Sequence, residues 1–126
     1  SRESASIHIV KNLLIKGYKI NIYDPWIKKE KIMDDILITF KKLNSSKKMI
    51  ASIQRNIKVC DSIDDCVEGS DSIAICTEWD EFKDFDWKSS FKNVNNNCVI
   101  LDGRNLLNVD IIKKIGFKIY SLGRQW

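Results

Sequence analysis

Hydrophobic and polar positions along this chain switch repeatedly between a helical and a strand period, and the switches mark its elements. Ile7, Val10, Leu13 and Leu14 recur at helical spacing within residues 2–16, and Gly17 can take the left-handed conformation that ends helices. Tyr18-Lys19-Ile20-Asn21-Ile22-Tyr23 alternates as a strand does, until Asp24-Pro25 stops it. Residues 28–42 return to the helical period with Ile32, Met33, Ile36, Leu37 and Phe40, and the polar residues 44–48 predict an exposed loop. Residues 49–56 give the weakest signal of any stretch.

The second half repeats the alternation with shorter elements. Residues 57–60 predict a strand, 62–68 a short helix closed by Gly69, and 71–76 an apolar strand of the type buried on both faces. A helix over 84–92 would bring Trp87 and Phe91 one turn apart, and Asn93-Val94-Asn95-Asn96-Asn97 is a turn-prone loop. Residues 98–101 read as another buried strand, 106–115 as a helix ending at Gly116, and 117–122 as the last strand. Strand and helix in strict alternation call for parallel pairing with right-handed crossovers. The expected class is therefore α/β, a Rossmann-like three-layer sandwich with a mostly parallel sheet, in one domain over residues 1–126. Such a domain normally starts with a strand that feeds its first helix, whereas this chain starts with the helix. The first strand is thus expected to be missing from this fragment, leaving a slot of unpaired backbone groups.

Composition narrows the function classes without choosing one. At 126 residues, 44% hydrophobic and 30% charged, the chain is an ordinary globular domain with no apolar stretch long enough to cross a bilayer. The formal charge of +4 comes from scattered lysines, with a local excess at Lys28, Lys29, Lys31, Lys41, Lys42, Lys47 and Lys48. No arginine and aromatic interleaving accompanies them, so they predict a solvated face and no nucleic-acid partner. The four cysteines, Cys60, Cys66, Cys76 and Cys98, have neither C-x-x-C nor metal-ligand spacing. They predict structural thiols in a reducing cytoplasm, with no disulfide and no metal site. His8 has no ligating neighbour in spacing and predicts a surface or packing residue.

Candidate chemistry gathers where strands end. The run 18–23 leads into Asp24-Pro25, 72–76 into Thr77-Glu78-Trp79-Asp80, and 98–101 into Asp102-Gly103-Arg104-Asn105. In open parallel sheets ligands bind outside the carboxyl ends of the strands, where such clusters converge. Gly103 allows a tight turn that Asp102 could cap. Arg104 and Asn105 then either face the crevice, for phosphate and polar recognition, or belong to a structural turn with Arg104 in a surface ion pair. Trp79 and Phe82 predict anchors for an otherwise acidic loop. Arg2-Glu3-Ser4 opens the first helix, where free N–H groups and the dipole favour anions.

Taken in register, Arg2-Glu3-Ser4-Ala5-Ser6, Ile22-Tyr23-Asp24-Pro25, Cys76-Thr77-Glu78-Trp79-Asp80-Glu81-Phe82, Asp102-Gly103-Arg104-Asn105 and Ile115-Gly116-Phe117 with Gly123 resemble the UDP-glucose 6-dehydrogenase family, in its carboxyl-terminal UDP-binding domain. The resemblance implies a four-electron oxidation of UDP-glucose to UDP-glucuronate with two NAD⁺ reduced, in a cytoplasmic enzyme. NAD would be bound mainly by an amino-terminal Rossmann domain, and a central helical domain would supply the catalytic cysteine and lysine, so no catalytic residue is expected here. It also implies a homo-oligomer for the full-length protein, and Arg104 and Asn105 as substrate-binding residues. Arg2 resembles the arginine that reaches the cofactor's phosphates. No G-x-G-x-x-G occurs in the chain, which fits a domain that binds but does not catalyse alone.

Two alternatives stand beside this. A related dehydrogenase could act on GDP-mannose or a UDP-N-acetylhexosamine. A non-enzymatic flavodoxin-like receiver would use Asp24 and Asp102 after strands, although Ser121-Leu122-Gly123 supplies no lysine after the last one.

Overall fold

Two short parallel sheets organise the chain in a computed structural model that describes the main chain of residues 2–122 and the side chains of residues 7–122. They belong to two compact units, Ser1–Ser62 and Ile63–Trp126. The architecture is α/β, and every strand pairs in parallel. That matches the Rossmann-like class expected from the alternation of periods.

The first unit runs α1 (Arg2–Ile15), β1 (Ile20–Ile22), α2 (Lys29–Lys42), α3 (Lys47–Asn56) and β2 (Ile57–Val59). Gly17, at φ 89°, ends α1 by donating its N–H to the Leu14 carbonyl at 3.0 Å, and the Tyr18 N–H reaches Leu13 at 3.2 Å. Strands β1 and β2 pair from Ile20 opposite Ile57 to Ile22 opposite Val59. Leu14, Ile36, Phe40, Ile53 and Ile57 form the buried core, two of them from α2 and one each from α1, α3 and β2. The weakly signalled residues 49–56 prove to be helical, and α3 starts inside the expected loop at Lys47. Its start is set by the Ser46 hydroxyl, which accepts the Met49 N–H at 3.1 Å.

The second unit runs α4 (Ile63–Val67), β3 (Ser72–Ile75), α5 (Asp80–Asp84), α6 (Trp87–Ser90) with a 3-10 turn over Phe91–Asn93, β4 (Val99–Asp102), α7 (Val109–Ile115) and β5 (Lys118–Ser121). The sheet order is β3-β4-β5, with Ile75 opposite Asp102 and Asp102 opposite Ser121. Ile75, Cys98, Ile100, Ile112, Phe117 and Ile119 are buried with Trp87 and Leu107. Trp87 meets Phe85 edge-on at 4.9 Å and Phe117 at 6.0 Å, and Phe91 meets Phe117 at 4.9 Å.

Three expectations change here. The strands over 71–76 and 98–101 are not buried on both faces, since Ser72, Ala74 and Leu101 are exposed. An apolar run shows that a strand is packed, not on how many sides. The helix expected over 84–92 is interrupted at Phe85 and Asp86, because Asp86 accepts the Ser89 N–H at 3.0 Å and starts a new helix. The last helix starts at Val109 instead of residue 106, where Asn108 accepts the Ile111 N–H at 3.1 Å.

Candidate functional site

The turn after β4 is built around one buried carboxylate. Asp102 is 1% exposed, and it spends both oxygens on the main chain ahead of it. Its Oδ1 accepts the Arg104 N–H at 3.1 Å and its Oδ2 the Leu107 N–H at 2.8 Å. The expected cap by Asp102 is therefore present and reaches further than one turn. Gly103 donates its N–H to the Ile75 carbonyl at 3.1 Å, and a Cβ there would lie 3.1 Å from the same oxygen. A side chain there would press on the end of β3, which would have to give by a few tenths of an ångström. Asn105 completes it at φ 53°, a left-handed conformation that asparagine tolerates.

This backbone sets Arg104 beside the loop that follows β3. The Arg104 guanidinium pairs through Nη2 with Oε1 of Glu78. The side chains are 31% and 46% exposed, so water reaches the pair on one side. Arg104 Nε is buried without a hydrogen-bond partner among the described residues. Of the two outcomes left open for Arg104, the ion pair is the one present, and it lies at the strand end. Asn105 is exposed beside it.

Glu78 as the partner of Arg104 was missed in the sequence, although a signal exists. Polar clusters that follow adjacent parallel strands are neighbours, and a carboxylate in one invites the guanidinium in the other. Further along that loop, α5 begins at Asp80 where a loop was expected. Phe82 packs against the core, and its carbonyl accepts the Trp87 Nε1–H at 2.9 Å. The aromatic anchor is therefore seen for Phe82.

Other candidates fall elsewhere. Asp24 accepts the N–H groups of Trp26 at 2.8 Å and Ile27 at 3.2 Å, an Asx turn just after β1 that leaves Trp26 73% exposed. Arg2 is the first residue of α1, and its side chain lies outside the described residues, as do those of Glu3 and Ser4. Gly123 also lies outside them. His8 is exposed on α1. None of the four cysteines is in a disulfide, and burial, helped by the nearby Asp71 charge, pushes the Cys98 thiol up. Among the described residues no His, Cys, Asp and Glu side chains gather as a metal site, and no helix is long and apolar enough to cross a membrane. An open groove of about 760 Å³ runs between Phe85, Trp87 and α7, lined also by Leu106 and Leu107. Arg104 and Asn105 do not line it.

The β4 turn sets a paired guanidinium, an exposed amide side chain and main-chain groups together at the end of a strand.

Comparison with known proteins gives one consistent result. The family model described as "UDP-glucose/GDP-mannose dehydrogenase family, UDP binding domain" matches residues 1–109. The UDP-glucose 6-dehydrogenase of Rickettsia bellii is 36% identical over 122 residues, 97% of this chain. That of Gallus gallus is 34% identical over 129 aligned residues, 99% of the chain, and that of Drosophila melanogaster 30% over 126, the whole chain. In each case the chain spans about a quarter of the relative's length, 24%, 24% and 25% respectively.

Proposed function

Because the chain belongs to the UDP-glucose/GDP-mannose dehydrogenase family, as its UDP binding domain, we propose that it holds the nucleotide half of UDP-glucose within an NAD-dependent UDP-glucose 6-dehydrogenase. The reaction takes the sugar's C6 alcohol to a carboxylate. Four electrons leave as two hydrides, each taken by one NAD⁺, and water supplies the second carboxylate oxygen. This chain's part is to bind and orient, and the chemistry belongs to the amino-terminal Rossmann and central helical domains of the same polypeptide. The full-length protein works in the cytoplasm as a homo-oligomer. Family membership removes the receiver alternative.

The observation that carries the reading is the β4 turn, where Asp102 and Gly103 hold Arg104 and Asn105 at a strand's carboxyl end. Arg104 and Asn105 are the substrate-binding residues. A guanidinium has five N–H donors, and the pairing with Glu78 through Nη2 leaves Nη1 for a phosphate or a hydroxyl of the ligand. Asn105 offers an amide that donates and accepts, suited to a uracil or ribose edge. Arg2 is assigned to the cofactor's phosphates. It stands at the start of a 14-residue helix, whose first main-chain N–H groups favour anions.

Two measurements test this. Calorimetric titration of the chain with UDP should show saturable binding that Arg104→Ala weakens. The full-length polypeptide carrying it should form two NADH per UDP-glucose consumed. Faster turnover of GDP-mannose or a UDP-N-acetylhexosamine would reassign the sugar. Absence of reduction with every nucleotide sugar would remove the dehydrogenase reading.

A further inference from the structure

We infer that Glu78 is a positioning residue for the nucleotide site, acting through Arg104; the inference rests on the binding role proposed above for Arg104. The turn after β4 fixes only the main chain of Arg104. Its long side chain would otherwise sample many rotamers and lose that freedom when a ligand binds, at a cost in side-chain entropy. Glu78 removes much of that freedom beforehand by holding Nη2. Both restraints come from the same neighbour. The end of β3 accepts the Gly103 N–H through Ile75, and the loop just beyond it supplies Glu78.

The pair also sets which edge of the guanidinium a ligand meets. Nε is buried and Nη2 engaged, so the edge built from Nε and Nη2 is closed and Nη1 is the group left to approach. Glu78 brings a carboxylate near the place where a pyrophosphate would sit, and that charge opposes the ligand. What helps binding is therefore the acceptor at the right reach, not its negative charge. This ranks the variants. Glu78→Gln keeps reach and acceptor while removing the repulsion. Glu78→Asp keeps the charge and loses one methylene of reach. Glu78→Ala loses reach and acceptor together.

Calorimetric titration with UDP of the chain and these three variants tests the ranking. Glu78→Gln should bind as tightly as the wild type or tighter, whereas Glu78→Ala should lose roughly tenfold, the scale of one hydrogen bond to a charged group. Glu78→Asp should fall between them. In the full-length enzyme Glu78→Ala should raise KM for UDP-glucose and leave kcat close to the wild-type value. Equal UDP affinity in all three variants, or Glu78→Gln as weak as Glu78→Ala, overturns the assignment while leaving the nucleotide site standing. A wild-type chain that ignores UDP overturns both. Should Glu78→Ala fail to fold, the order of Gln over Asp decides alone.

Discussion

Asp102 Oδ2 accepts the main-chain N–H of Leu107, five residues further on, at 2.8 Å. Because Oδ1 also holds the Arg104 N–H, one side chain defines the whole path from strand to helix. Asp102→Ala would strand two donors, one of them fully buried, and should cost about 3 kcal/mol by the usual cost of unsatisfied buried groups. Asp102→Asn keeps one acceptor and turns an NH₂ towards the other donor, so it should cost less, about 2 kcal/mol. Urea unfolding followed by circular dichroism measures both.

Gly116 and Phe91 are coupled by close contact. Gly116 ends α7 at φ 129°, and a Cβ there would come within 2.5 Å of the Phe91 ring. Gly116→Ala combines backbone strain with a clash and should cost about 2–4 kcal/mol. In the double variant with Phe91→Leu the clash disappears. The two losses should then fall short of additivity by about 1 kcal/mol in a double-mutant cycle.

Asp86 makes a small part of the stability depend on acid. The Ser89 main-chain N–H, then its side chain, hold this carboxyl below its ordinary value of 3.8. A depressed folded value means the contribution is complete above about 3.8 and disappears as pH falls through the lower folded value. The stability difference between wild type and Asp86→Ala should therefore be constant near neutral pH and shrink below pH 4. A difference that grows with acid would contradict the cap.

The thiols should react in order of burial. Cys98 is fully buried and its thiol is pushed up, and Cys60 is 4% exposed. Cys66 and Cys76 are partly exposed. Pulsed alkylation of the native chain at pH 8, read by mass spectrometry, should label Cys66 and Cys76 first. Early labelling of Cys98 would show that β4 opens locally.

What the sequence revealed and what it hid divide along the range of the interactions. Gly17, Gly69 and Gly116 all take positive φ where a helix was expected to stop, because a helix end is decided by a few adjacent residues. The carboxylate of Asp102 capping its own turn was legible for the same reason. Helix α3 was not, since its cap Ser46 sits among polar residues that resemble any loop, and its apolar stripe is short. The open face of β3 was invisible because apolar side chains look alike whether covered or not. The pairing of Glu78 with Arg104 spans 26 residues, and only the adjacency of β3 and β4 brings it about. The part of the candidate site carried by single residues could be read, and the part made by two strands meeting had to be seen.

The exposed face of the second sheet has a practical consequence. Ala74, Leu101 and Tyr120 stand side by side in register, with Leu101 46% and Tyr120 51% exposed, and Leu122 lies just beyond at 69%. Such a row of wetted apolar groups recruits fluorescent apolar dyes while the fold is intact. A dye-based thermal-shift assay on this chain should therefore begin with a bright baseline, and its rise on heating should underreport melting. Variants are better ranked by the spectroscopic signal of the backbone, and a bright dye signal at room temperature is expected of the intact fold.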